Sequence, residues 1–499
     1  MVVVGVQTGP ASADAQREAG ATALVLTGPQ RAAAVQEAQA GAATTAKAIG
    51  LSDREKLVVR DVVKDADGTV HTRYERTYEG LPVLGGDLVV HQKKNGSRAT
   101  TKATGARISV PSTEAEAPAA TAKSTARKVI WAATGKPALA WETVVTGVQH
   151  DGTPSERHVI TDATTGKELH SYEAIETGVG NTQYSGQVTL GTAPSFTLTD
   201  ATRGGHKTYD LNGGTNGTGS LFTNSTDTWG NGLATNRETA AADAHYGAAV
   251  TWDFYKNELG RNGIRGDGVA AYSRVHYGNA YVNAFWSDSC FCMTYGDGTN
   301  NLKPLTSLDV AGHEMSHGLT ASTAGLRYSK ESGGLNEATS DILGTSVEFY
   351  AANSTDAGDY LIGEKIDIRG NGTPLRYMDK PSKDGNSADF WSSSVGRLDV
   401  HYSSGPANHF FYLLSEGSGT KTINGVTYDS ATYDGSTLTG IGRTKAYKIW
   451  YKALSTYMTS STNYAGARTA TLQATADLYG ATSPEYTAVS KAWTAINVK

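Results

Sequence analysis

Short segments of alternating apolar and polar residues mark the first part of the chain, which is the pattern of half-buried β-strands. The alternation over 57–63 and again over 70–78 predicts two strands, and Asp67-Gly68 between them is a hairpin turn signal. A further strand is predicted over 84–91. Residues 14–50 are rich in Ala, Gln and Glu and predict either a helix or an unstructured leader. Together these segments predict a small α/β unit that ends near residue 108.

A second small α/β unit is predicted over residues 109–175. Residues 109–127 are rich in Pro, Ala, Thr and Ser, so we expect a linker inside which a helix begins. Two strands come after it at 141–145 and 158–162, and the turn signals are Asp151-Gly152 and Thr165-Gly166. The composition changes at about residue 176, which places the end of this unit between Ile175 and Asn181.

The rest of the chain passes from strand patterns to helix patterns. Residues 180–235 are dominated by Gly, Thr, Asn and Ser with short apolar alternations, which predicts antiparallel strands and turns. Ala240 to Leu259 carries apolar and aromatic residues at helical spacing, and we expect a buried helix there. Past residue 405 most of the pattern is helical.

Composition narrows the class of protein. A chain of 499 residues is too long for one ordinary core and suggests two to four domains. The net charge of −5 gives no basic surface, which argues against a nucleic-acid partner. No run of eighteen apolar residues occurs, so we expect no membrane-spanning helix.

The first residues resemble the end of a signal peptide. Met1 to Val6 is apolar, and Ala11-Ser12-Ala13 is an Ala-x-Ala sequence of the signal-peptidase type. The basic region is missing and the apolar run is short, so we interpret residues 1–13 as part of a longer signal peptide. A disordered apolar terminus is the alternative. The prediction is a secreted, extracellular protein.

Cys290 and Cys292 are the two cysteines of the chain. Two thiols cannot supply a tetrahedral zinc site on their own. In a regular strand they would lie near the upper distance limit for a disulfide, but a bulged hairpin tip brings them closer. We favour a local disulfide, formed in an oxidising compartment, over two free thiols.

His313-Glu314-Met315-Ser316-His317 carries the strongest chemical information. Two histidines four apart on a helix project from one face, so both imidazoles can reach one metal ion. Glu314 then stands beside the metal, where a base that activates water has to lie. Glu337 is the candidate third ligand, and Asp341, one turn later, is placed to accept from a ligand histidine.

Chance explains this motif poorly. With 12 His and 49 acidic residues among 499, His-acid-x-x-His is expected about 0.03 times in a random chain of this composition. The alternative is a surface helix with two solvated histidines. The Asn-Glu-Ala-x-x-Asp segment that begins at Asn336 argues against that alternative.

These motifs resemble the thermolysin family of secreted zinc endopeptidases. Asn283 to Trp286, Met293 to Gly298 and Leu398 to Gly405 carry the resemblance further, and it covers roughly residues 180–499. Upstream, 55–92 resembles the fungalysin/thermolysin propeptide and 115–172 resembles a PepSY unit. The resemblance implies an α+β fold, in which a pro-region of two α/β units precedes a two-lobed catalytic domain. The domains are then 1–13, 14–108, 109–175, a β-rich lobe with the zinc helix over 176–325, and a helical lobe over 326–499.

The resemblance also implies residue roles. The zinc ligands are His313, His317 and Glu337, and the general base is Glu314. Tyr328 and His401 stabilise the oxyanion, Asp399 orients His401, and Asp341 orients His313. Substrate-binding positions are Asn283, Ala284, Arg376, Val310 and Leu375: the first two meet the peptide backbone, Arg376 meets a carbonyl, and the last two line a primed-side pocket. Cleavage before bulky hydrophobic residues is therefore expected.

Calcium is implied as a second, structural metal. Asp309, Glu348 and Glu364 fall at family calcium positions, and Asp359 is our fourth candidate. The spacing over 352–359 departs from the family pattern, so the choice between Asp356 and Asp359 stays open, and at least one site is expected where some relatives have two. A solvated acidic surface is the alternative.

The function predicted is that of a secreted, monomeric zymogen that cuts extended peptide and protein substrates. Its own pro-region acts as an intramolecular inhibitor, and no nucleic acid or membrane takes part. Two alternatives are a zincin of restricted specificity and an inactive binding or inhibitor protein on the same scaffold. Glu314 and all three ligands are present, which argues against the inactive form.

Overall fold

The computed structural model describes residues 24, 26, 28–116, 124–148, 154–173, 177–193 and 196–499. The chain divides into two compact units, Met1–Ile175 and Glu176–Lys499. The signal-peptide segment 1–13, the Asp151-Gly152 turn and Ile175 lie outside the described residues. None of the described helices is long and apolar enough to cross a membrane.

The first unit begins with two helices on an antiparallel sheet. The elements are α1 (Gly28–Ala40), α2 (Ala42–Ala48), β1 (Glu55–Lys64), β2 (Val70–Tyr78), β3 (Leu81–Leu84), β4 (Leu88–Gln92) and β5 (Arg98–Lys102). Apolar residues of β1 at every second position, such as Leu57 and Val59, pack with α1 and α2 in one cluster. The alternation therefore identified both strands, and Gly68 adopts the left-handed φ of 89° that their hairpin turn requires.

The second half of this unit adds four antiparallel strands, β6 (Ser124–Trp131), β7 (Ala138–Val148), β8 (Pro154–Asp162) and β9 (Glu168–Glu173). Parallel pairing of β3 with β6 joins them to the first strands. The sheet order is β5-β4-β2-β3-β6-β7-β8-β9, with β1 on β2. The helix expected to begin inside 109–127 is wrong for the described residues, because 124–127 already belong to β6.

The second unit starts with short strands: β10 (Thr177–Asn181), β11 (Gln187–Gly191), β12 (Thr199–Asp200), β13 (His206–Asp210), β14 (Ser220–Leu221), β15 (Thr228–Trp229), β16 (Tyr272–Val275), β17 (Ala284–Ser287) and β18 (Cys292–Tyr295). The main sheet has the order β12-β13-β16-β18-β17, with β14 on β13. The antiparallel strands predicted over 180–235 are present, as in the pairing of β12 with β13 and of β13 with β14, but β10 pairs with β15 in parallel. Beyond that range, β13 pairs with β16 in parallel as well. Cys290, in the turn after β17, and Cys292, the first residue of β18, form the expected local disulfide.

Helices dominate the remainder of the second unit: α3 (Arg237–Leu259), α4 (Leu308–Ala321), α5 (Lys330–Ala351), α6 (Val400–Ser403), α7 (Gly405–Glu416), α8 (Arg443–Thr456), α9 (Tyr464–Tyr479) and α10 (Pro484–Ala495). Two-stranded ribbons interrupt them: β19 (Leu361–Ile362) with β20 (Arg376–Tyr377), and β21 (Gly419–Ile423) with β22 (Val426–Ser430). The buried helix predicted over 240–259 is α3. Its first turn is capped by Asn236, and it ends at Gly260, whose φ is 64°.

Glycines let α4 and α5 approach closely. A Cβ at Gly312 would lie 3.0 Å from the Cα of Gly344, and a Cβ at Gly344 would lie 2.5 Å from the carbonyl oxygen of Asp309. Side chains at either position would force the helices apart. This close crossing places the histidines of α4 opposite the carboxylates of α5.

Candidate active site

His313 and His317 present their Nε2 atoms to one space, 3.1 Å apart. Nδ1 of His313 lies 2.8 Å from Oδ1 of Asp341, and Nδ1 of His317 lies 2.7 Å from Oδ1 of Asn336. Since both partners are acceptors, each Nδ1 carries a proton, and each ring can offer the lone pair of its Nε2 to a cation that takes the place of the second proton. Two facing lone pairs at this distance call for a cation between them.

Glu337 completes the group from α5. Its Oε2 lies 3.5 Å from Nε2 of His313, and its Oε1 lies 3.4 Å from Nε2 of His317. Oε2 is buried without a hydrogen-bond partner. Tetrahedral zinc bound at about 2.0–2.2 Å separates its ligand atoms by roughly 3.3–3.5 Å. The three side chains therefore fit zinc in number, chemistry and spacing.

The charge of Glu337 is maintained despite its burial. Burial alone would raise its pKa, but the adjacent His313 and His317 outweigh it and hold the pKa well below its usual range. Glu337 is fully buried. The carboxylate is therefore available to a cation over the whole physiological pH range.

Glu314 lies on the same helix beside the metal-binding group and lines the cleft. Burial raises the pKa of Glu314, while His313, His317 and the backbone N–H of Trp286 act in the opposite direction. A carboxylate whose pKa is raised is a better proton acceptor, as a general base has to be. Position and environment both agree with the role expected from the motif.

Asp341 lies beneath the histidines as the centre of a buried network. It accepts from His313, from Nε of Arg376 at 2.8 Å and Nη2 at 2.6 Å, and from Nδ2 of Asn408 at 2.8 Å. Burial would raise its pKa, but Arg376 and His313 lower it below the usual range. Asp341 thus stays ionised and orients His313.

Two asparagines in this network were missed by the sequence reasoning. Asn336 holds His317, and its own Nδ2 donates to the carbonyl of Leu326 at 2.8 Å, which fixes the amide orientation. The position of Asn336 next to Glu337 in the sequence could have identified it as a candidate. Asn408 on α7 lies 67 positions from Asp341 and carries no local pattern that would have identified it.

Tyr328 and His401 meet at the mouth of the site. The Tyr328 hydroxyl donates to Oε1 of Glu337 and lies 3.3 Å from Nε2 of His401. His401 Nδ1 lies 2.7 Å from Oδ1 of Asp399, which also accepts the backbone N–H of His401 at 3.0 Å. The Tyr328 side chain is 53% exposed, so both polar groups are accessible to a bound molecule.

A cleft of about 790 Å³ surrounds these groups. It is lined by the predicted substrate-binding residues Asn283, Ala284, Val310, Leu375 and Arg376. Leu305, Ile362 and Ile368 join Val310 and Leu375 to make one end apolar. Arg376 reaches the cleft while its guanidinium is paired with Asp341.

β17 presents an open edge to the cleft. The backbone N–H of Gly296 donates to the carbonyl of Asn283 at 3.0 Å, while Ala284 is paired with Tyr295. In an antiparallel ladder this makes Ala284 a non-hydrogen-bonded position, so the backbone groups of Ala284 and Trp286 face outward. A peptide strand can pair there.

A second group of acidic side chains lies away from the cleft. Carboxylate oxygens of Glu348, Asp356 and Glu364 lie within 4.8 Å of one another. Both oxygens of Asp356, both of Glu364 and Oε1 of Glu348 lack a hydrogen-bond partner among the described residues. Asp356 and Glu348 are fully buried, so this is not a solvated acidic surface.

Asp309 and Asp359 lie beside this acidic cluster, but one carboxylate oxygen of each accepts a hydrogen bond from a backbone N–H. Oδ2 of Asp309 accepts the backbone N–H of Gly363 at 2.6 Å, and Oδ1 of Asp359 accepts that of Leu361 at 2.7 Å. Of the two aspartates that the sequence left open, Asp356 is therefore the one whose oxygens lack hydrogen-bond donors. Burial and the neighbouring carboxylates raise the pKa of Asp356 to about 6 and that of Asp359 to about 7.

Family models cover most of the chain. Residues 177–321 match the thermolysin metallopeptidase catalytic domain, and 324–498 match the thermolysin metallopeptidase alpha-helical domain. Residues 55–97 match the fungalysin/thermolysin propeptide motif. The assignment of residues 109–175 to the PepSY type stays a prediction.

Individual relatives agree with these matches. The chain is 59% identical over 533 residues to the transglutaminase-activating metalloprotease of Streptomyces mobaraensis, covering all of this chain and 70% of that protein. It is 36% identical over 501 residues to thermolysin of Alicyclobacillus acidocaldarius subsp. acidocaldarius, covering 90% and 87%. The solved precursor of protealysin from Serratia proteamaculans is 27% identical, with a TM-score of 0.46, over 62% of this chain and 90% of that one.

Matches of this extent establish the family on grounds separate from the geometry of the site. The fold is α+β, with a pro-region ahead of β-rich and helical catalytic parts, as the motifs implied. The chain belongs to the thermolysin family and is a metalloendopeptidase with a propeptide.

Proposed function

We propose that the protein is the secreted zymogen of a zinc endopeptidase whose catalytic groups are those brought together on α4 and α5. The observation that carries the proposal is the convergence of two imidazole Nε2 atoms and the Glu337 carboxylate in the cleft, with Glu314 beside them. His313, His317 and Glu337 would hold the zinc ion. When bound, zinc would polarise the scissile carbonyl and acidify the attacking water.

Glu314 acts as the general base. Its carboxylate takes a proton from the water as the water attacks the scissile carbonyl, and then returns the proton to the leaving amine. The raised pKa of Glu314, which results from its burial, favours this proton transfer. No other carboxylate of the described cleft lining is free for this task, because Glu337 is a proposed ligand and Asp288 lies at the far end of β17.

His401 and Tyr328 stabilise the oxyanion that forms on the scissile carbonyl. Asp399 accepts from Nδ1 of His401 and orients the ring, so that Nε2 of the protonated imidazole can donate to the oxyanion. The Tyr328 hydroxyl, 3.3 Å from that Nε2, converges on the same space.

Substrate lies along β17 as an added strand. The outward backbone groups of Ala284 and Trp286 pair with it, and Asn283 and Arg376 contribute side-chain donors. The apolar end of the cleft, with Val310 and Leu375, receives the residue after the cut. We therefore expect a preference for a bulky hydrophobic residue there.

Calcium occupies the acidic cluster in this proposal. Glu348, Asp356 and Glu364 are the nearest ligands, with Asp309 and Asp359 beside them. A divalent cation would remove the repulsion among buried carboxylates and satisfy oxygens that lack donors. It would stabilise α5 and the segment that leads to β19.

The first unit acts as an intramolecular inhibitor until it is removed, and the mature enzyme works outside the cell as a monomer. The propeptide motif over 55–97 and the local disulfide between Cys290 and Cys292 support this interpretation. The rival, an inactive binding protein, would be expected to lack Glu314 or a ligand, and every one is present.

Casein hydrolysis by the processed protein tests the proposal. We expect activity that is lost with a zinc chelator, returns with trace zinc, and is absent in Glu314→Ala. Correctly processed, zinc-loaded protein without activity would overturn the proposal and favour the binding-protein alternative.

A further inference from the structure

One charged residue in the cleft has no part in the proposed mechanism. The charged or titratable residues that line the cleft are Asp288, His313, Glu314, His317, Glu337, Arg376 and His401, together with Tyr328. All except Asp288 belong to the metal-binding group or lie in contact with it. Asp288 comes directly after β17, and its side chain is partly exposed. A peptide that pairs along β17 must pass this carboxylate.

Trp286 holds Asp288 in place. Its indole Nε1–H donates to Oδ1 of Asp288 at 2.7 Å. The indole packs against α4, where a Cβ at Gly318 would lie 2.6 Å from Cζ2 of the ring. No cationic side chain of the described residues lies within ion-pair distance of Asp288, so its carboxylate can pair with a cation of the substrate.

The disulfide at the tip of the hairpin buttresses this arrangement. Phe291, between the two cysteines, has a left-handed φ of 52°, and its ring packs edge-on against Trp286 at 5.3 Å. The guanidinium of Arg265 covers Phe291 at 3.6 Å from the ring centroid. A bond between residues two apart removes little entropy from the unfolded chain, so its effect is local. It fixes Phe291, and through it the wall formed by Trp286.

The position of Asp288 along the cleft is determined by the course of β17 and α4. Val310 lines the apolar end, while Gly318, two helical turns later on α4, contacts Trp286, whose indole is bonded to Asp288. Asp288 therefore lies at the end opposite the apolar pocket. If that pocket takes the residue after the cut, as in the proposed function on which this inference rests, then Asp288 faces residues before the cut. Asp288 lies two residues beyond Trp286, and an extended peptide advances about 3.3 Å per residue, so positions two to four residues before the scissile bond are the ones to test.

We propose that Asp288 and Trp286 form a subsite that selects a lysine or arginine side chain on the non-primed part of the substrate. The indole covers the methylene stem, and the carboxylate pairs with the cationic head. A glutamate at the same position meets the negative charge of Asp288 and is disfavoured. The two residues thus determine specificity and leave the bond-breaking groups unchanged.

Fluorogenic peptides that differ at a single position test the subsite. Lysine, norleucine or glutamate is placed in turn two, three and four residues before a fixed scissile bond. We expect kcat/KM to favour lysine over glutamate by about threefold to tenfold at one of these positions, and to lose most of that ratio at high salt. Equal rates at all three positions, with good cleavage of the norleucine peptides, would overturn the subsite and leave the proposed function standing. Failure to cleave any peptide would overturn both.

Substitutions test whether the preference for lysine depends on the charge of the Asp288 carboxylate. Asp288→Asn keeps the acceptor for the Trp286 indole but removes the charge, so the lysine-to-glutamate ratio should fall towards one while hydrolysis of the norleucine peptide stays measurable. Asp434→Asn makes the same charge change on an aspartate that does not line the cleft and should leave the ratio unchanged. A ratio that survives Asp288→Asn would contradict the assignment.

The contribution of the disulfide to the subsite can be measured separately. Replacing both cysteines, as Cys290→Ser with Cys292→Ser, should lower the ratio while hydrolysis of the norleucine peptide persists. Short peptides that carry only the non-primed half should, as inhibitors, show the same lysine preference, which checks binding without turnover. An unchanged ratio in the double variant would remove the disulfide from the proposal.

Discussion

The zinc site and the acidic cluster share one helix pair but are organised in different ways. At the zinc site, Asp341 and Asn336 fix the two imidazoles before any metal is considered. In the acidic cluster, both oxygens of Asp356 and both of Glu364 have no hydrogen-bond donor among the described residues. The protein itself shapes the first site, whereas the second leaves buried carboxylate oxygens that the proposed calcium ion would satisfy. Loss of zinc should therefore remove activity, and loss of calcium should remove stability.

Glu314→Ala should separate zinc binding from catalysis, and it has the largest expected effect on activity. The variant keeps every proposed zinc ligand, so it should bind zinc at one equivalent while peptide hydrolysis falls by at least about 10³-fold. Pro-region removal should stop as well. Metal analysis and gel electrophoresis of the secreted protein measure both, and continued self-processing would show that Glu314 is not the base.

His401→Ala should have the next largest effect on turnover. Removing one oxyanion donor lowers kcat by roughly 10²–10³-fold and changes KM little. Zinc content and thermal stability should stay as in the unaltered enzyme, because the His401 side chain is about half exposed. Steady-state kinetics on one peptide decide the matter, and an unaltered kcat would exclude His401 from the mechanism.

Asn336→Ala tests whether the zinc site is organised by the protein. Without the acceptor at Nδ1, His317 is free to rotate or to take the other tautomer, and zinc affinity should fall about 10–100-fold. Competition with a metal-binding dye gives the affinity. Asn257→Ala, which removes an exposed amide paired with Tyr350, serves as the control and should leave zinc affinity unaltered.

Calcium removal should show itself in stability. In Glu314→Ala, which cannot digest itself, stripping calcium at neutral pH should lower the melting temperature by roughly 5–10 °C. Glu364→Gln should reduce that response. An identical melting temperature with and without calcium would contradict the assignment of the acidic cluster.

The size of this effect should depend on pH in a definite direction. Without calcium, the folded protein keeps Asp356 protonated to about pH 6 and Asp359 to about pH 7, above the values of an unfolded chain. The contribution of these groups to stability is present below about pH 4 and is lost as the pH rises to about 7. Calcium binds the ionised carboxylates, so the calcium-dependent gain in melting temperature should grow between about pH 5 and pH 8. Thermal scans across that range measure it.

Local periodicity explains what the sequence revealed about the two sites. His313 and His317 could be placed on one metal because helix geometry alone fixes residues four apart, and the same geometry placed Asp341 one turn after Glu337. The pairing of Asp341 with His313 in particular was implied by the family resemblance. Asp356 lies in an irregular segment after α5, where no period relates position to direction. Asn408 lies on another helix, so its contact depends on tertiary packing.

The fold, too, could be predicted where it follows from local periodicity and could not where it depends on tertiary packing. The alternation over 57–63 and 70–78 identified the β1–β2 hairpin, since each strand buries every second residue. Parallel pairing of β13 with β16 was not predicted, because partner choice among short strands is decided by the whole sheet. The composition of 109–127 suggested that a helix begins there, but residues 124–127 belong to β6 and pair with β7 instead.

The crossing of α4 and α5 at Gly312 and Gly344 makes the spacing of the metal ligands a property of residues that never touch the metal. Adding a single methyl group at Gly344 would act as a wedge between the helices, 3.1 Å from the backbone nitrogen of His313. Such a wedge would widen the gap between imidazoles and carboxylate while every ligand stayed chemically intact. The distance between the metal ligands can therefore be altered by a substitution behind the site that leaves every ligand in the sequence unchanged.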